Sequence, residues 1–373
     1  MTAGSAAAGR AGRAGKVRVG LVFGGRSTEH SVSCVSAASV LAAVDRDRYE
    51  VVAIGITQVG RWVLAPEQPA ALTAGSLPEL AEDLAPLVLA GDPTVQGLVS
   101  LGDGPALPAV DVVFPLLHGP YGEDGTLQGL LELAGLPYVG SGVFASAAAM
   151  DKQHMKLVLA GNGLPVGPYE VITPRQWEQD PRGAVLRIAE SLALPVFVKP
   201  ARGGSSIGIS KVTDAAGLPE AIELARRYDP KVIVEAMLAG REIECGVLEG
   251  PAGPEASLPS EIHVHGDHAF YDFEAKYLDG GTGFDIPAQL PLAQTQAVQA
   301  MACAAFDALG CEGLARVDFF LGPDGLVVNE VNTMPGFTPA SMFPRMWAAS
   351  GIDYPTLVDR LLTSALTRRR GLR

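Results

Sequence analysis

Apolar residues fall in short runs closed by glycine or proline, separated by stretches at helical spacing. KVRVGLVFGG (16–25) is a continuous apolar run ending in glycines, which predicts a buried parallel strand. HSVSCVSAASVLAAVD (30–45) predicts a helix and YEVVAIGIT (49–57) the next strand, a βαβ opening. Residues 58–108 are rich in Pro, Gly and Leu with weak periodicity, so a hairpin and short helices are expected there. AVDVVFPLLHG (109–119) predicts another buried strand, followed by a glycine-punctuated loop, a helix over GTLQGLLELAG (125–135) and a helical stretch over 142–161.

An α+β section follows. PVFVKP (195–200) predicts a strand, ARGGSSIG a loop, GISKV a strand, 214–227 a helix, and KVIVEAML a strand. GREIECGVLE (240–249) begins a third set of strands. QTQAVQAMACAAFDALG (294–310) places Val298, Met301, Ala305 and Leu309 on one helical face, with Gly310 positioned to end the helix left-handed. A hairpin and two helices complete the chain.

That hairpin, ARVDFFLGPDGLVVNEVNTMPG (315–336), holds charges in an apolar setting. A three-residue loop, Pro323-Asp324-Gly325, would pair Gly322 with Leu326, Asp318 with Glu330 and Arg316 with Asn332. Strand alternation then puts all four polar residues on one face. A two- or four-residue loop would shift the register by one. Facing carboxylates repel and call for a cation. Two acids and an amide oxygen suit Mg²⁺ that is also held by phosphates. The alternative is a solvated face with an Arg–carboxylate bridge.

Composition narrows the classes. The chain has 373 residues, enough for two or three domains, and is 48% hydrophobic. A net charge of −13 argues against a nucleic-acid or anionic-membrane partner. Cys34, Cys245, Cys303 and Cys311 form no CxxC or zinc spacing and read as free thiols in a reducing cytosol. No apolar run reaches membrane-spanning length. Residues 1–16 are Ala/Gly-rich with Arg, expected as a disordered tail without a signal-peptide core.

Four further segments carry candidate chemistry. VKPARGGSSIG (198–208) is a strand, a lysine and a Gly/Ser loop suited to phosphates, without a Walker motif. FGGRSTEHSVS (23–33) lacks GxGxxG; Glu29 suits an ammonium, and Ser27 or Thr28 could instead cap the helix. LLHGPYGEDGTLQG (116–129) follows a strand end, with His118, Glu123 and Asp124. YDFEAKYLDGGTGF (271–284) has the composition of a lid bearing Lys276 and Tyr277.

Taken together and in order, STEHSVS, HGPYGEDGTLQG, MDKQHMK, VKPARGGSSIG, FYDFEAKY, ARVDFF and NEVNTMPGFTPASMFP resemble the D-alanine–D-alanine ligase family of the ATP-grasp superfamily, over residues 17 to about 365. The resemblance implies an α/β (α+β) ATP-grasp fold of three domains: a doubly wound N-terminal domain binding the first D-alanine (17–141), and two α+β domains gripping ATP, central (142–236) and C-terminal with the metal site (237–373). It implies ATP-dependent ligation of two D-alanines through an acyl phosphate, for peptidoglycan precursors, with ATP as co-substrate. Two Mg²⁺ or Mn²⁺ ions are expected, with room for K⁺, a homodimer and a cytoplasmic location.

The resemblance also implies residue roles. Asp318, Glu330 and Asn332 are the metal ligands; Lys152 and Lys199 bind phosphates, with Ser206. Glu235, Ala236, Leu238 and Glu242 serve adenine and ribose, and Lys276 and Tyr277 sit on the closing loop. Glu29 binds the first amine and locks the lid with Ser205 and Tyr277, beside His118. Arg316 and the Gly336 amide meet the oxyanion; Ser341 and Met342 hold the second carboxylate. The small departures are a long 58–108 region, Pro120 and Tyr121, and Gly203 and Gly204 where an acid is common. Rival readings are a D-alanine–D-lactate ligase, another ATP-grasp carboxylate-amine ligase, or a non-catalytic ATP sensor.

Overall fold

The computed structural model describes residues 15–67, 78–95, 97–101, 107, 109–264 and 282–368. The expected tail over 1–16 lies almost wholly outside them, as do Lys276 and Tyr277.

The first unit has β1 (Val17–Gly24), α1 (His30–Ala43), β2 (Tyr49–Ile56), β3 (Trp62–Leu64), β4 (Leu87–Leu89), β5 (Leu98–Ser100), β6 (Val112–Pro115) and α2 (Thr126–Leu133). Its main sheet runs β3-β2-β1-β6, with β1 parallel to both β2 and β6. The apolar runs form central parallel strands because both faces are covered, and Leu21, Phe23 and Phe114 are fully buried. Gly24 ends β1 at φ 91°, where a Cβ would lie 2.3 Å from the Ile56 carbonyl oxygen. Only glycine fits that turn. Within 58–108 the described residues form β3 and the antiparallel β4–β5 pair; the expected short helices are not among them.

The helical stretch is two helices, α3 (Val143–Met150) and α4 (Lys152–Gly161). Asp151 breaks it and caps α4, accepting a bond from the His154 amide at 3.2 Å. The second sheet, β7-β10-β8-β9, is built from β7 (Tyr169–Ile172), β8 (Val196–Pro200), β9 (Ser210–Val212) and β10 (Val232–Ala236). Helices α5 (Pro174–Gln179), α6 (Pro181–Ser191) and α7 (Leu218–Arg226) accompany it. Val196, Val198, Val232 and Val234 pack with Ile188 and Ile222 on one face, leaving Phe197, Lys199 and Glu235 on the other.

The third sheet runs β14-β13-β11-β15-β16, with β12 on β11. It comprises β11 (Arg241–Gly250), β12 (Gly253–Ala256), β13 (Ser260–Val264), β14 (Thr282–Asp285), β15 (Leu314–Gly322) and β16 (Gly325–Asn332). Helix α8 (Leu292–Leu309) buries Val298, Ala305 and Leu309, and Gly310 caps it at φ 65°. Helices α9 (Met342–Ala349) and α10 (Tyr354–Thr367) close the chain.

Two cores join distant segments. Phe337, Phe343, Trp347 and Leu361 pack with Leu21, Phe23 and Phe114 of the first sheet. Ala145, Met155 and Leu159 of α3 and α4 pack with α8 and the third sheet. These contacts seat the C-terminal loops and the start of α4 against the openings of the other two sheets.

The hairpin corrects one expectation. Gly322 pairs with Gly325, so the loop is two residues, Pro323-Asp324, and not three. The resulting one-residue shift runs through Phe319↔Val328 and is cancelled by a bulge at Asn329. Beyond it Asp318 faces Glu330 and Arg316 faces Asn332, in the expected register. Val317, Phe319, Val328 and Val331 are buried on the opposite face. That buried apolar set pins the register, because a slip would turn it to solvent.

Candidate active site

A cavity of about 350 Å³ opens between the second and third sheets. The second sheet and its loop supply Lys199, Ser205, Ser206, Glu235, Ala236 and Leu238 to its lining, and α4 adds Lys152 and Lys156. The third sheet contributes Glu242, Glu244, Arg316, Asp318, Glu330 and Asn332. Twelve of the residues singled out in the sequence therefore meet in one place.

Each is positioned by its element. Asp151 forms an ion pair with Lys231, and the Lys152 amide donates to the Ala201 carbonyl at 2.9 Å, so α4 begins at the end of β8. From there Lys152 Nζ donates to the Gly203 carbonyl (2.9 Å) and to Glu330 Oε1 (3.0 Å). Burial opposes the Lys152 charge, but Glu330 holds its pKa above the ordinary lysine value. Arg202, at the head of the Gly/Ser loop, forks onto buried Asp229 at 2.9 and 2.7 Å.

The left-handed positions at the tip of this loop are Ser205 (φ 49°) and Ser206 (φ 57°), followed by Gly208 (φ 75°). Non-glycine residues rarely hold such angles, and where they persist they cluster at functional sites.

On the hairpin face, Arg316 forks onto Asp318 through Nε (2.7 Å) and Nη2 (2.8 Å). Its Nε also lies 3.2 Å from Glu244 Oε1, and the Asn332 amide donates to Asp318 Oδ2 at 3.0 Å. Burial disfavours the guanidinium charge, but Asp318 and Glu244 raise its pKa well above normal. Two carboxylates on paired strands and a neighbouring amide oxygen are hard donors facing one cavity, so the set fits a divalent cation. Here Arg316 and Lys152 meet their charge.

Glu29, His118, Gly336, Ser341 and Met342 lie beyond the lining of that cavity. Two bonds tie their segments together. Ser205 Oγ donates to Glu29 Oε1, joining the first unit to the Gly/Ser loop. His118 Nδ1 lies 3.2 Å from the Met334 carbonyl oxygen, joining it to the loop after β16. The Ser27 hydroxyl donates to the His118 carbonyl at 2.6 Å and accepts from the Glu29 amide at 3.2 Å, while Glu29 takes the N-cap position of α1 with no side-chain capping bond of its own. His118 Nδ1 also lies 3.4 Å from Glu123. Burial raises Glu123 to about 7, with His118 opposing. Burial lowers His118, but Glu123 and Glu29 carry it above its ordinary value. Gly336 approaches Ser341, whose Oγ accepts from the Thr338 amide at 3.1 Å, and Met342 opens α9. Phe337 anchors this loop against Phe114, ring centroids 5.6 Å apart, and Tyr354 Oη donates to its carbonyl at 2.6 Å.

Sequence reasoning missed Lys156 and Glu244. Lys156 was legible, since it lies one helical turn after Lys152 on the same face. Glu244 was not, because only strand pairing with Asp318 brings it to Arg316. A second polar group, Glu261, His263 and Asp285, spans β13 and β14; Arg241 forks onto Glu261 and His263 meets Asp285 at 3.1 Å, so it reads as an ion-pair cluster.

Residues 18–141 match the family model for the D-ala D-ala ligase N-terminus, and 158–363 that for the C-terminus. The chain is 59% identical over 373 aligned positions to a D-alanine–D-alanine ligase of Kineococcus radiotolerans, covering 96% of this chain and 99% of the relative. It is 58% identical to one of Streptomyces coelicolor, covering 95% of each. Among solved structures, the VanG D-Ala:D-Ser ligase of Enterococcus faecalis has TM-score 0.82 at 34% identity, covering 94% of this chain and 100% of that one. The D-alanine–D-alanine ligase of Coxiella burnetii has TM-score 0.78 at 36% identity, covering 94% of each.

Proposed function

The chain belongs to the D-alanine–D-alanine ligase family, with its ATP-grasp fold, and from that premise we propose which of its residues perform the reaction. It is an ATP-dependent ligase joining two D-alanines for peptidoglycan synthesis. One observation carries the assignment of roles: Lys152, Lys199 and Ser206 line the same cavity as Asp318, Glu330 and Asn332. Phosphate donors and hard oxygen ligands thus face each other across the space a nucleotide needs.

Lys152, Lys199 and the left-handed Ser205–Ser206 amides hold the phosphates. Glu235, Ala236, Leu238 and Glu242 line the adenine and ribose side. Asp318, Glu330 and Asn332 hold Mg²⁺ or Mn²⁺, which when bound draws charge from the transferring phosphoryl group. Glu29, fixed by Ser205, receives the ammonium of the first D-alanine, whose carboxylate takes the phosphoryl group. Attack by the second amine on the acyl phosphate puts charge on the carbonyl oxygen, which Arg316 and the Gly336 amide face. As that intermediate collapses, the C–O bond to phosphate breaks, phosphate leaves, the amine gives up a proton and the peptide bond remains. Ser341 and Met342 seat the second carboxylate. Lys276 and Tyr277, outside the described residues, close the site and keep water from the acyl phosphate.

The three sheets support a division near residues 141 and 236, with α3 and α4 sharing the core of the C-terminal sheet. We place the enzyme in the cytoplasm, where ATP is available; among the described residues no helix is long and apolar enough to cross a membrane. A homodimer and activation by K⁺ belong to the same proposal.

The test is phosphate release from ATP with Mg²⁺, comparing D-alanine, L-alanine, and D-alanine plus D-lactate. Release with D-alanine alone, giving the dipeptide, is expected. Release only with another acid and amine would overturn the substrate and leave the fold.

A further inference from the structure

Lys156 lines the nucleotide cavity, yet none of the roles above uses it. It belongs to a buried triad. Lys156 Nζ lies 2.8 Å from Glu235 Oε1, and Lys199 Nζ lies 2.6 Å from Glu235 Oε2. Each carboxylate oxygen therefore has its own ammonium. The Lys156 and Glu235 side chains are only 3% and 9% exposed, while Lys199, at 16%, borders the cavity.

The three charges come from three elements. Lys199 is on β8 and Glu235 on β10, paired strands of the second sheet, on one face. Lys156 is on α4, which packs against the third sheet: the Val331 amide donates to Met155 Sδ at 3.3 Å, and Leu159 is fully buried there. Lys199 is the partner that borders the cavity. A phosphate bound there competes with Glu235 for its ammonium. A buried carboxylate stripped of its cation is strongly disfavoured. With Lys156 in place, Glu235 keeps one counter-ion throughout.

We propose that Lys156 is a positioning residue: a fixed counter-ion that keeps Glu235 charged and in place while Lys199 exchanges that carboxylate for a nucleotide phosphate. The proposal rests on Lys199 being a phosphate ligand, as assigned above. Without Lys156, Glu235 would retain Lys199, and the nucleotide would have to compete for it.

The experiment uses the full-length protein and two readouts: ATP affinity by calorimetry with Mg²⁺ and no D-alanine, and steady-state KM for each substrate. The variants are Lys156→Met, Lys156→Arg, Glu235→Gln and the Lys156→Met/Glu235→Gln pair. Lys156→Met is expected to weaken ATP binding about 10-fold, with KM for D-alanine changed less than about 2-fold. Lys156→Arg keeps the charge and stays within about 3-fold of wild type. In the Glu235→Gln background no buried carboxylate needs a cation, so adding Lys156→Met, which also removes the ammonium left unpaired there, costs ATP affinity less than about 2-fold. That background also gives a reading if Lys156→Met alone does not fold. Losses that simply multiply, or an unchanged ATP affinity in Lys156→Met, would overturn the proposal. A wild-type protein that binds ATP but releases no phosphate with D-alanine would instead count against the substrate reading, leaving the Lys156 comparison intact.

Discussion

Replacing Glu330 by Gln keeps shape and removes one charge at the centre of the site. Two consequences follow from the geometry. Lys152, 3.0 Å away, loses its main partner. At an effective dielectric of about 20, that contact is worth about 5 kcal/mol of bare Coulomb attraction. Part of this is offset because Glu330, 31% exposed, no longer bears its own desolvation, but Lys152, 10% exposed, still bears its own, so the net stability loss should be about 2 kcal/mol. Burial then acts on Lys152 with only the more distant Glu235 and Asp151 opposing it, and its pKa falls. The second consequence is larger. An anionic metal ligand is gone from a site where charge develops in the transition state, an effect on the order of 3 kcal/mol, or about 100-fold in kcat. The assay is coupled phosphate release at saturating ATP, Mg²⁺ and D-alanine, with thermal melting as a control. A melting temperature lowered by only a few degrees with kcat down about 100-fold is expected. Turnover within about 3-fold of wild type would refute the metal-hairpin reasoning, because no other described carboxylate faces Asp318 across β15 and β16.

Two other tests probe the site's edges. Glu123 ionises near 7 when folded against about 4.5 when unfolded, so the folded protein binds the extra proton and stability falls as pH rises through that window. His118, also raised, contributes stability that is present below its unfolded value and lost as pH rises through the folded one. Glu123→Gln should therefore gain on wild type in melting temperature between pH 5 and 7.5, by no more than about 3 kcal/mol in stability; a pH-independent gap would show that the pair does not titrate there. Ser205→Gly keeps the left-handed turn and loses the bond to Glu29, and should lower kcat/KM for D-alanine about 10-fold. Ser205→Ala must also hold φ 49° and should cost about 1 kcal/mol more in stability; equal melting of the two would remove the strain argument.

Much of this architecture is legible in the sequence. The βαβ opening, the α8 face ended by Gly310 and the charged hairpin all express local rules of period and turn. Strand β7 and helices α5 and α6, over 169–191, are not among the predicted elements, although Thr173 and Gln176 form a capping box at a readable spacing with Pro174 at the first helical position. The hairpin is instructive in a different way. Its loop was misjudged by one residue and its register was still right, because the bulge at Asn329 absorbs the difference.

The sequence by itself determined which residues could carry chemistry and which side of each element they occupy, since strand and helix periods are properties of the backbone. Only the tertiary structure decided which charges meet. Glu235 sits between lysines from α4 and β8, Arg316 between Asp318 and Glu244, and His118 beside a carbonyl 216 residues away. Such pairings follow from how separate sheets share cores, and burial there makes an unpaired charge too costly to leave.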